Sequence, residues 1–309
     1  MAGRLVILCP GQGAQHGAMF DMARTDPAAC RLIDEWFADS ELAETLAATL
    51  DDAARFSNRV AQPSIVAATV ATWAALGPGM PTPALVAGYS IGELSAYGVA
   101  GALAPIDAVK LALQRARLMD DCLAHGAPQA MVALSGLPRM EIDALLARTG
   151  FHPAIVTGDD SLVAGGPAAQ REQLAEAALA AGAKPTILPV AVASHTPLLQ
   201  GAVAPFAALL REARWSMPAF PVLSGISAEP VHDAAGAIEQ LPRQIAEPIL
   251  WRECMDALAE AGVTVALELG PGAALARMLQ ARHPAIACRS VSEFRSLDGV
   301  RSWLDRNLD

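Results

Sequence analysis

The sequence predicts an α/β fold with a mainly parallel sheet and a smaller subdomain inserted into the larger body. Short apolar runs alternate with longer helical patterns along most of the 309 residues. This alternation is typical of a parallel sheet that helices cover on both faces. Between residues 129 and 192 the order changes to strand, helix, two strands, helix and strand, which indicates a ferredoxin-like (βαββαβ) unit. We therefore expect a body made of residues 1–128 and 193–309 around an insertion at 129–192.

The elements predicted before the insertion begin and end at turn residues. Residues 4–9 predict a buried strand, because the residues after Arg4 are apolar and the run stops at Pro10-Gly11. Pro105 suits the first turn of a helix that continues to residue 123. The other elements predicted in this part are helices between 27 and 76, a strand at 84–87 and a helix at 93–103.

The insertion and the second half of the body follow from the same periodicities. The insertion is expected to contain strands at 130–134, 154–157, 161–164 and 185–190, and helices at 139–147 and 167–181. After it we expect helices at 197–213 and 248–261, strands at 220–224 and 264–269, and a last long helix. Gly270-Pro271-Gly272 marks the turn into that last helix.

Composition limits the classes of function. The chain is 53% hydrophobic, which is enough for a large core, and its net charge of −10 argues against general nucleic-acid binding. Because no apolar run is long enough for a signal peptide or a membrane span, we expect a soluble, cytoplasmic protein. The cysteines show no metal-ligand spacing and are expected to be reduced and mostly buried. They are Cys9, Cys30, Cys122, Cys254 and Cys288.

The segment Gly88-Tyr89-Ser90-Ile91-Gly92 lies between a predicted strand and a predicted helix. The glycines let the backbone turn sharply there, and a serine at such a turn exposes its hydroxyl above the sheet edge. The helix that follows would direct N–H groups and its positive dipole end at an oxyanion. The pattern predicts that Ser90 is a nucleophile for acyl transfer, with an ordinary Gly-rich turn as the alternative.

A serine hydroxyl needs a base within hydrogen-bond reach. A serine hydrolase of the α/β-hydrolase type places its histidine late in the chain, after an acid, which would select His283. That residue lies at the polar end of a predicted helix, where solvation is expected. His195 instead follows an apolar strand where the chain returns from the insertion, so it can overhang a cleft between the two domains. Its spacing fits a catalytic base and a helix-capping residue equally well.

An oxyanion site needs two hydrogen-bond donors. The N–H of Ile91, the residue after the serine, supplies one by the geometry of the turn. The second can come from Pro10-Gly11-Gln12-Gly13-Ala14-Gln15, where the glycines permit close approach and Gln12 offers an amide. A phosphate-binding loop is the competing interpretation. It is weaker because no Lys-Ser/Thr follows and the glycine spacing of a dinucleotide site is incomplete.

Two arginines on the helix predicted at 106–123 face in different directions. Arg117 has Asp120 and Asp121 at helical spacing, so we expect a surface ion pair there. Arg115 shares the apolar stripe that faces the interior, and a buried guanidinium needs an anionic partner. No acid lies on that stripe. The partner is therefore either a substrate carboxylate held by the guanidinium or an acid distant in sequence.

Five ordered motifs resemble those of the malonyl-CoA:acyl-carrier-protein transacylases, and the similarity covers nearly the whole chain. They are Pro10-Gly11-Gln12-Gly13-Ala14-Gln15, Gly88-Tyr89-Ser90-Ile91-Gly92-Glu93, Arg115-Ala116-Arg117-Leu118-Met119, Ser194-His195 and Gly270-Pro271-Gly272. The resemblance implies an α/β-hydrolase-like body with an inserted ferredoxin-like subdomain. It agrees with the order of elements predicted above.

The resemblance also implies a role for each candidate residue. Ser90 would be the nucleophile that becomes malonylated, and His195 would be its base. Gln12 and the N–H of Ile91 would form the oxyanion site. Arg115 would bind the malonyl carboxylate.

Other features of the site follow from the same resemblance. Backbone carbonyls, expected near residues 247–250, would hold the histidine where other enzymes use an acid. Malonyl-CoA and the pantetheine-type thiol of an acyl carrier protein would be the substrates, and no cofactor or metal is implied. His283 would then have no part in the chemistry.

Two departures from the family pattern concern the pathway. Fatty-acid-synthesis members usually have a histidine before the nucleophile, where this chain has Tyr89. Residues 157–161 read Thr-Gly-Asp-Asp-Ser where many members have Asn-x-Pro-x-Gln. Both departures are more similar to the transacylase subunit of malonate decarboxylase, which would have other decarboxylase subunits as partners. We therefore expect that subunit, with a transacylase of fatty-acid or polyketide synthesis as the alternative.

Two rival classes and one partner surface remain as hypotheses. The rivals are a serine esterase or thioesterase with His283 as base, and a non-catalytic subunit that docks acyl-CoA or a carrier. Because carrier proteins are usually acidic and this chain is acidic as well, docking would need a local basic patch. The candidates for that patch are Arg282, Arg289, Arg295 and Arg301. No nucleic-acid or membrane partner is expected.

Overall fold

The computed structural model describes residues 3–52, 54–77 and 79–308, and within them the chain forms eleven strands and twelve α-helices. The strands are β1 (Leu5–Cys9), β2 (Leu85–Gly88), β3 (Gln129–Ser135), β4 (His152–Val156), β5 (Ser161–Pro167), β6 (Lys184–Leu188), β7 (Val222–Leu223), β8 (Pro230–Val231), β9 (Ile249–Leu250), β10 (Val265–Glu268) and β11 (Ala287–Ser290). The helices are α1 (Pro27–Ala38), α2 (Ala43–Ala47), α3 (Asn58–Leu76), α4 (Gly92–Val99), α5 (Pro105–Ala124), α6 (Arg139–Thr149), α7 (Arg171–Ala180), α8 (Gln200–Glu212), α9 (Ala234–Arg243), α10 (Trp251–Glu260), α11 (Ala274–Arg282) and α12 (Leu297–Leu308).

The larger sheet has six strands in the order β11-β10-β1-β2-β7-β8, and only the β7–β8 pair is antiparallel among these described strands. All five residues of β1 are buried, which explains why this strand is a continuous apolar run. Cys9 lies opposite Gly88 in the parallel β1–β2 pair. The loops that begin at Pro10 and Tyr89 therefore leave the same edge of the sheet side by side.

The smaller sheet has the order β6-β3-β5-β4-β9. Its first four strands come from the predicted insertion, and with α6 and α7 they follow the predicted order of strand, helix, two strands, helix and strand. Neighbouring strands among these four are antiparallel. The fifth strand, Ile249–Leu250, comes from beyond the insertion and pairs in parallel with β4. This pairing ties the smaller sheet to the C-terminal part of the chain.

The prediction of a mixed α/β fold with a mainly parallel main sheet is confirmed, and most predicted elements lie within a few residues of their observed bounds. Two predictions were wrong. The helix predicted at 248–261 begins only at Trp251, because Ile249–Leu250 pairs with β4. The helix after Gly272 is neither long nor last, since it ends at Arg282 just before His283-Pro284 and is followed by β11 and α12. The boundaries of the two domains stay a prediction.

Helix α3 lies at the centre of the helical layer beside the main sheet and packs against α1, α4 and α5. Fifteen of its residues are buried, so it has almost no solvent face and its polar side chains are enclosed as well. Gln62 on α3 is fully buried and faces α5. No helix within the described residues is long and apolar enough to cross a membrane.

Candidate active site

A sharp turn joins β2 to α4 and presents Ser90, whose φ of 57° lies in the left-handed region. Such a φ is strained for a residue other than glycine and occurs mainly where the surrounding structure enforces it. Two close approaches enforce it here. A Cβ on Gly88 would lie 2.2 Å from the Gly92 carbonyl oxygen, and a Cβ on Gly92 would lie 2.1 Å from the Cys9 carbonyl oxygen. Only glycine fits at either position, so these glycines are required for the turn.

The structure brings Ser90 and His195 together, with 2.8 Å between the serine Oγ and the imidazole Nε2. His195 also has a positive φ, 64°, and is 1% exposed. Its backbone N–H donates to the Ile245 carbonyl at 2.8 Å, which fixes the residue at the start of the segment that leads to α8. The predicted nucleophile and the predicted base are 105 positions apart in the sequence, and the fold brings them into hydrogen-bond contact.

The other imidazole nitrogen, Nδ1, lies 2.5 Å from the backbone carbonyl oxygen of Gln244. Because a carbonyl only accepts, Nδ1 carries the proton and Nε2 is left to accept from the Ser90 hydroxyl. Burial, followed by the nearby Arg115 charge, lowers the pKa of His195 to about 3. The imidazole is therefore neutral at neutral pH. The carbonyl lies three positions before the segment 247–250 in which it was expected.

The two predicted oxyanion donors lie on either side of the turn. Ile91 is buried at the N-terminus of α4, where the first N–H groups of a helix have no intrahelical acceptor. The loop that contains Gln12 contacts the turn through Gly11, because a Cβ there would lie 3.7 Å from the Ser90 Cβ. The Gln12 side chain itself is exposed and its Nε2 donates to Asn58 Oδ1 at 3.3 Å. A role of Gln12 as an oxyanion donor stays a prediction.

Arg115 lies on α5 and is 3% exposed, as its place on the apolar stripe predicts. Its Nη1 donates to Gln62 Oε1 at 2.7 Å and its Nη2 to Gln244 Oε1 at 3.2 Å. Within the described part of the chain, no carboxylate lies within ion-pair distance of the guanidinium. Burial lowers the pKa of Arg115 to about 10 and the buried Glu93 acts in the opposite direction, so the group remains charged at neutral pH. Two neutral amide oxygens hold a buried cation in place.

Three functional candidates were missed by the sequence reasoning: Gln62, Gln244 and Glu93. Gln62 and Glu93 interrupt apolar helical stretches, and such an interruption was a signal that could have found them. Gln244 lies at the end of α9 and nothing in its neighbourhood distinguishes it from a solvated residue. In the structure it is 1% exposed and hydrogen bonds with Ser90, Glu93, Arg115 and His195.

The alternative base, His283, lies elsewhere. Its Nε2 is 2.9 Å from Asp256 Oδ1, and Arg282 binds the same carboxylate. The Arg282 guanidinium holds the pKa of Asp256 below its usual range. His283 thus belongs to an ion-pair cluster and has no contact with Ser90 among the described hydrogen bonds. Arg117 forms the expected surface ion pair, but with Glu41 at 3.4 Å because Asp120 pairs with Arg59.

The arginines proposed as a carrier-docking patch are mostly engaged within the chain. Arg282 binds Asp256 and Asp159. Arg289 stacks on the Phe294 ring at 4.0 Å, and Arg301 donates to the carbonyl oxygens that end α3. Arg295 is exposed and lies on the wall of a cavity of about 510 Å³. The four residues therefore do not form one free basic surface.

The described residues contain no group of three or more His, Cys, Asp or Glu side chains arranged to hold a metal ion. The cysteines Cys9 and Cys254 are buried, whereas Cys30, Cys122 and Cys288 are partly exposed, and all five are free thiols. Burial raises the pKa of the Cys9 thiol far above its usual range, so this group stays protonated at neutral pH.

Comparison with known proteins agrees with this geometry. Residues 6–294 match the model of the acyl transferase domain family. A malonyl CoA-acyl carrier protein transacylase of Mycobacterium bovis is 32% identical over 95% of this chain and 98% of its own length. The solved structure of the corresponding transacylase of Coxiella burnetii is 26% identical, with a TM-score of 0.90 over 100% of this chain and 99% of that one.

A further solved structure is that of a malonyl-transacylase in complex with a type II polyketide synthase acyl-carrier protein. It is 26% identical to this chain, with a TM-score of 0.90, and the match covers 98% of this chain and 100% of the other. Its name and the names of the other relatives agree with the resemblance drawn from the five sequence motifs. The chain belongs to the acyl transferase domain family, and within it to the relatives of the malonyl-CoA:acyl carrier protein transacylases.

Proposed function

We propose that this protein transfers a malonyl group from malonyl-CoA to the thiol of an acyl carrier protein through a malonyl ester of Ser90. One observation carries the proposal: a Ser90–His195 pair at 2.8 Å lies beside a buried, charged Arg115, whose hydrogen-bond partners among the described residues are two neutral amides. The pair supplies a nucleophile with its base, and the guanidinium supplies a site for an acyl group that ends in a carboxylate.

In the first half-reaction Ser90 Oγ attacks the thioester carbonyl carbon while His195 Nε2 takes the hydroxyl proton. Negative charge develops on the carbonyl oxygen, and the N–H of Ile91 with a donor from Gln12 would stabilise it. When the carbon–sulfur bond breaks, His195 returns the proton to the CoA sulfur. Malonyl-Ser90 remains.

In the second half-reaction the carrier thiol attacks the ester carbonyl of malonyl-Ser90. His195 takes the thiol proton and delivers it to Ser90 Oγ as the carbon–oxygen bond breaks. The neutral imidazole is the form that this step requires, because it must accept a proton first. The two thioesters are of similar stability, so the acyl group moves between them without a cofactor, and we propose none.

Arg115 would select the acyl group. Its guanidinium offers a fork of N–H donors that matches a carboxylate, and its burial strengthens the attraction. A malonyl carboxylate would supply the negative partner that the buried charge lacks in the described structure. An acetyl group would leave the guanidinium with the two glutamine oxygens alone.

The pathway favoured by the sequence departures has to be corrected. The relatives described above are transacylases that act with acyl carrier proteins, and one is bound to a polyketide carrier. They support a role in fatty-acid or polyketide synthesis better than one as a malonate decarboxylase subunit. Tyr89 has a structural reason in this chain, since its partly buried ring packs edge-on against Trp251 with 5.2 Å between centroids. Local packing therefore accounts for a tyrosine before the nucleophile, and this residue does not by itself identify a pathway.

We further infer that the larger sheet with its helices forms an α/β-hydrolase-like body and that β3–β6 with α6 and α7 form a ferredoxin-like subdomain. The support is the parallel order around the Ser90 turn in the first and the antiparallel β6-β3-β5-β4 order in the second. An acyl carrier protein is the partner we propose. It would approach the edge of the main sheet at which Ser90 lies.

The test is a two-step labelling experiment with radiolabelled malonyl-CoA. Wild-type protein is expected to acquire label on Ser90 and to release it when a phosphopantetheine-bearing acyl carrier protein is added. Ser90→Ala and His195→Ala should remain unlabelled, whereas His283→Ala should behave like the wild type. Label in Ser90→Ala, or loss of labelling in His283→Ala alone, would contradict the proposal. Release of label to water but not to the carrier would instead support the esterase alternative.

A further inference from the structure

A buried carboxyl group lies beside the proposed site but has no part in the mechanism described above. Glu93, in the first turn of α4, is 1% exposed. Its Oε2 accepts from Gln244 Nε2 at 2.6 Å and from the Gly225 N–H at 2.9 Å. Its Oε1 has no hydrogen-bond partner within the described residues. A buried carboxyl group destabilises a protein unless its contacts offset the loss of hydration. The role of Glu93 is therefore to be found in the hydrogen bonds that its Oε2 accepts.

The side chain that donates to Glu93 Oε2 is the amide of Gln244. The NH₂ group of this amide also lies 3.2 Å from the Ser90 carbonyl oxygen, to which it donates. The amide oxygen is thereby directed to the other side, where Arg115 Nη2 donates to it at 3.2 Å. One residue thus links the turn that carries the nucleophile to the guanidinium.

The amide of a glutamine has nearly the same shape in its two orientations, and its surroundings decide between them. In the reverse orientation the Gln244 NH₂ group would face the Arg115 guanidinium, and two donors would oppose each other. The amide oxygen would then face Glu93 Oε2 and the Ser90 carbonyl, which are both acceptors. The carboxyl group of Glu93 favours the observed orientation together with the Ser90 carbonyl and the Arg115 guanidinium, and its contact with the amide, at 2.6 Å, is the shortest of the three.

We propose that Glu93 is a positioning residue that directs the Gln244 amide oxygen toward Arg115 and so helps to set the preference for acyl groups that end in a carboxylate. The inference rests on the proposed malonyl transfer. With the Gln244 oxygen on one side and the Gln62 oxygen on the other, the guanidinium is held at both terminal nitrogens, Nη1 and Nη2. A guanidinium held in one orientation loses less side-chain freedom when it binds the carboxylate of an acyl group than a mobile guanidinium does.

The hold on Gln244 does not depend on the charge of Glu93. Burial raises the pKa of Glu93 to about 7, while the contacts of Gly225, Gln244 and Arg115 act to lower it. A proton on Oε1, which has no described partner, leaves Oε2 able to accept from both N–H groups. A neutral glutamine at position 93 can place its oxygen where Oε2 lies, so Glu93→Gln should preserve the arrangement.

The experiment compares kcat/KM for malonyl-CoA and for acetyl-CoA in Glu93→Leu, Glu93→Gln and the wild type. Glu93→Leu removes both acceptors at similar volume, and we expect the malonyl-to-acetyl ratio to fall by about tenfold. Glu93→Gln should keep the ratio within about threefold of the wild-type value. The matched control is Glu268→Leu. Glu268 is also a fully buried carboxyl, and it accepts from the Ala276 N–H at 2.8 Å, away from the proposed site.

Both leucine variants leave buried N–H donors without their acceptor and should lower the melting temperature, but only Glu93→Leu should change the ratio. An unchanged ratio in Glu93→Leu, or an equal change in Glu268→Leu, would overturn the inference. If Glu93→Leu does not fold, Gln244→Met removes the amide at similar length and must lower the ratio; an unaltered ratio there overturns the inference as well. Failure of the proposed function itself is distinct, because wild-type protein would then acquire no malonyl label at Ser90.

Discussion

At the scale of single residues, the buried charge of Arg115 determines which partner the site favours. A guanidinium that is 3% exposed has lost most of its hydration, and two amide oxygens replace only part of it. The same environment strengthens its attraction to an incoming carboxylate, since fewer water molecules compete for it. Under the proposed function, selectivity for a carboxylated acyl group would come from this cation, which has no carboxylate within ion-pair distance among the described residues.

Replacing Arg115 by alanine should then affect malonyl transfer far more than acetyl transfer. We expect kcat/KM for malonyl-CoA to fall by about 100-fold, or about 2.7 kcal/mol, as for a lost hydrogen bond to a charged group. The value for acetyl-CoA should stay within about threefold or rise. Steady-state assays with both substrates measure the change. Arg117→Ala removes a surface arginine two positions away and is the control; equal losses for both acyl groups in Arg115→Ala would show that the guanidinium has no role in selection.

Local context singled out Ser90 and Arg115, whereas the family resemblance decided for His195 over His283. Ser90 lies at a glycine-flanked turn, and Arg115 lies on an apolar helix face. The roles of Gln244 and Glu93 were not predicted, because their contact joins residues 151 positions apart, on α4 and at the end of α9. A network of that kind depends on how the elements pack, and no local pattern reports it.

At the scale of elements, the turn between β2 and α4 is a close contact between three backbone segments. The carbonyl of Cys9 at the end of β1 approaches Gly92, and the start of α4 approaches Gly88. This crowding keeps Ser90 at its positive φ and directs the first N–H groups of α4 at the space above the serine. The existence of both elements was predictable from apolar periodicity. The ends of several elements were not, because strand partners such as β9 are distant in sequence.

Gly92→Ala should therefore disrupt the turn. The added Cβ would lie 2.1 Å from a backbone carbonyl oxygen that cannot rotate away, so β1 and α4 would have to separate. We expect a loss of roughly 3 kcal/mol or more in the free energy of unfolding, above the usual range for overpacking, together with loss of malonyl labelling. Urea denaturation measures the stability. Gly299→Ala is the control, since a Cβ there meets other atoms only at 3.6 Å or beyond. Helix α12 should be unaffected or more stable in this variant. A similar loss of stability in both variants would argue against the crowded turn.

At the scale of the whole molecule, the smaller sheet shares a hydrophobic cluster with the body and is also joined to it by a strand pair and by a set of ion pairs. The strand pair β4–β9 joins them through the backbone. The turn between β4 and β5 joins them through Asp159, whose carboxylate binds Arg252 on α10 at 2.9 Å and Arg282 on α11 at 3.2 Å. The order of elements in the insertion could be predicted from sequence. These attachments could not, because they link residues 93 and 123 positions apart.

The attachment through Asp159 should make a small contribution to stability that depends on pH. Hydrogen bonding to Arg282 lowers the pKa of Asp159, so the ionised carboxylate is favoured in the folded state. Its stabilisation is present above the unfolded-state pKa of about 4 and is lost as the pH falls through the lower folded-state value. Because Asp159 is exposed, we expect Asp159→Asn to lower Tm by at most about 3 °C at pH 7 and by less in high salt. Thermal denaturation from pH 7 to pH 3 measures the difference, which should shrink toward zero at the acidic end; a difference that is constant with pH would mean that Asp159 acts by packing and not by its charge.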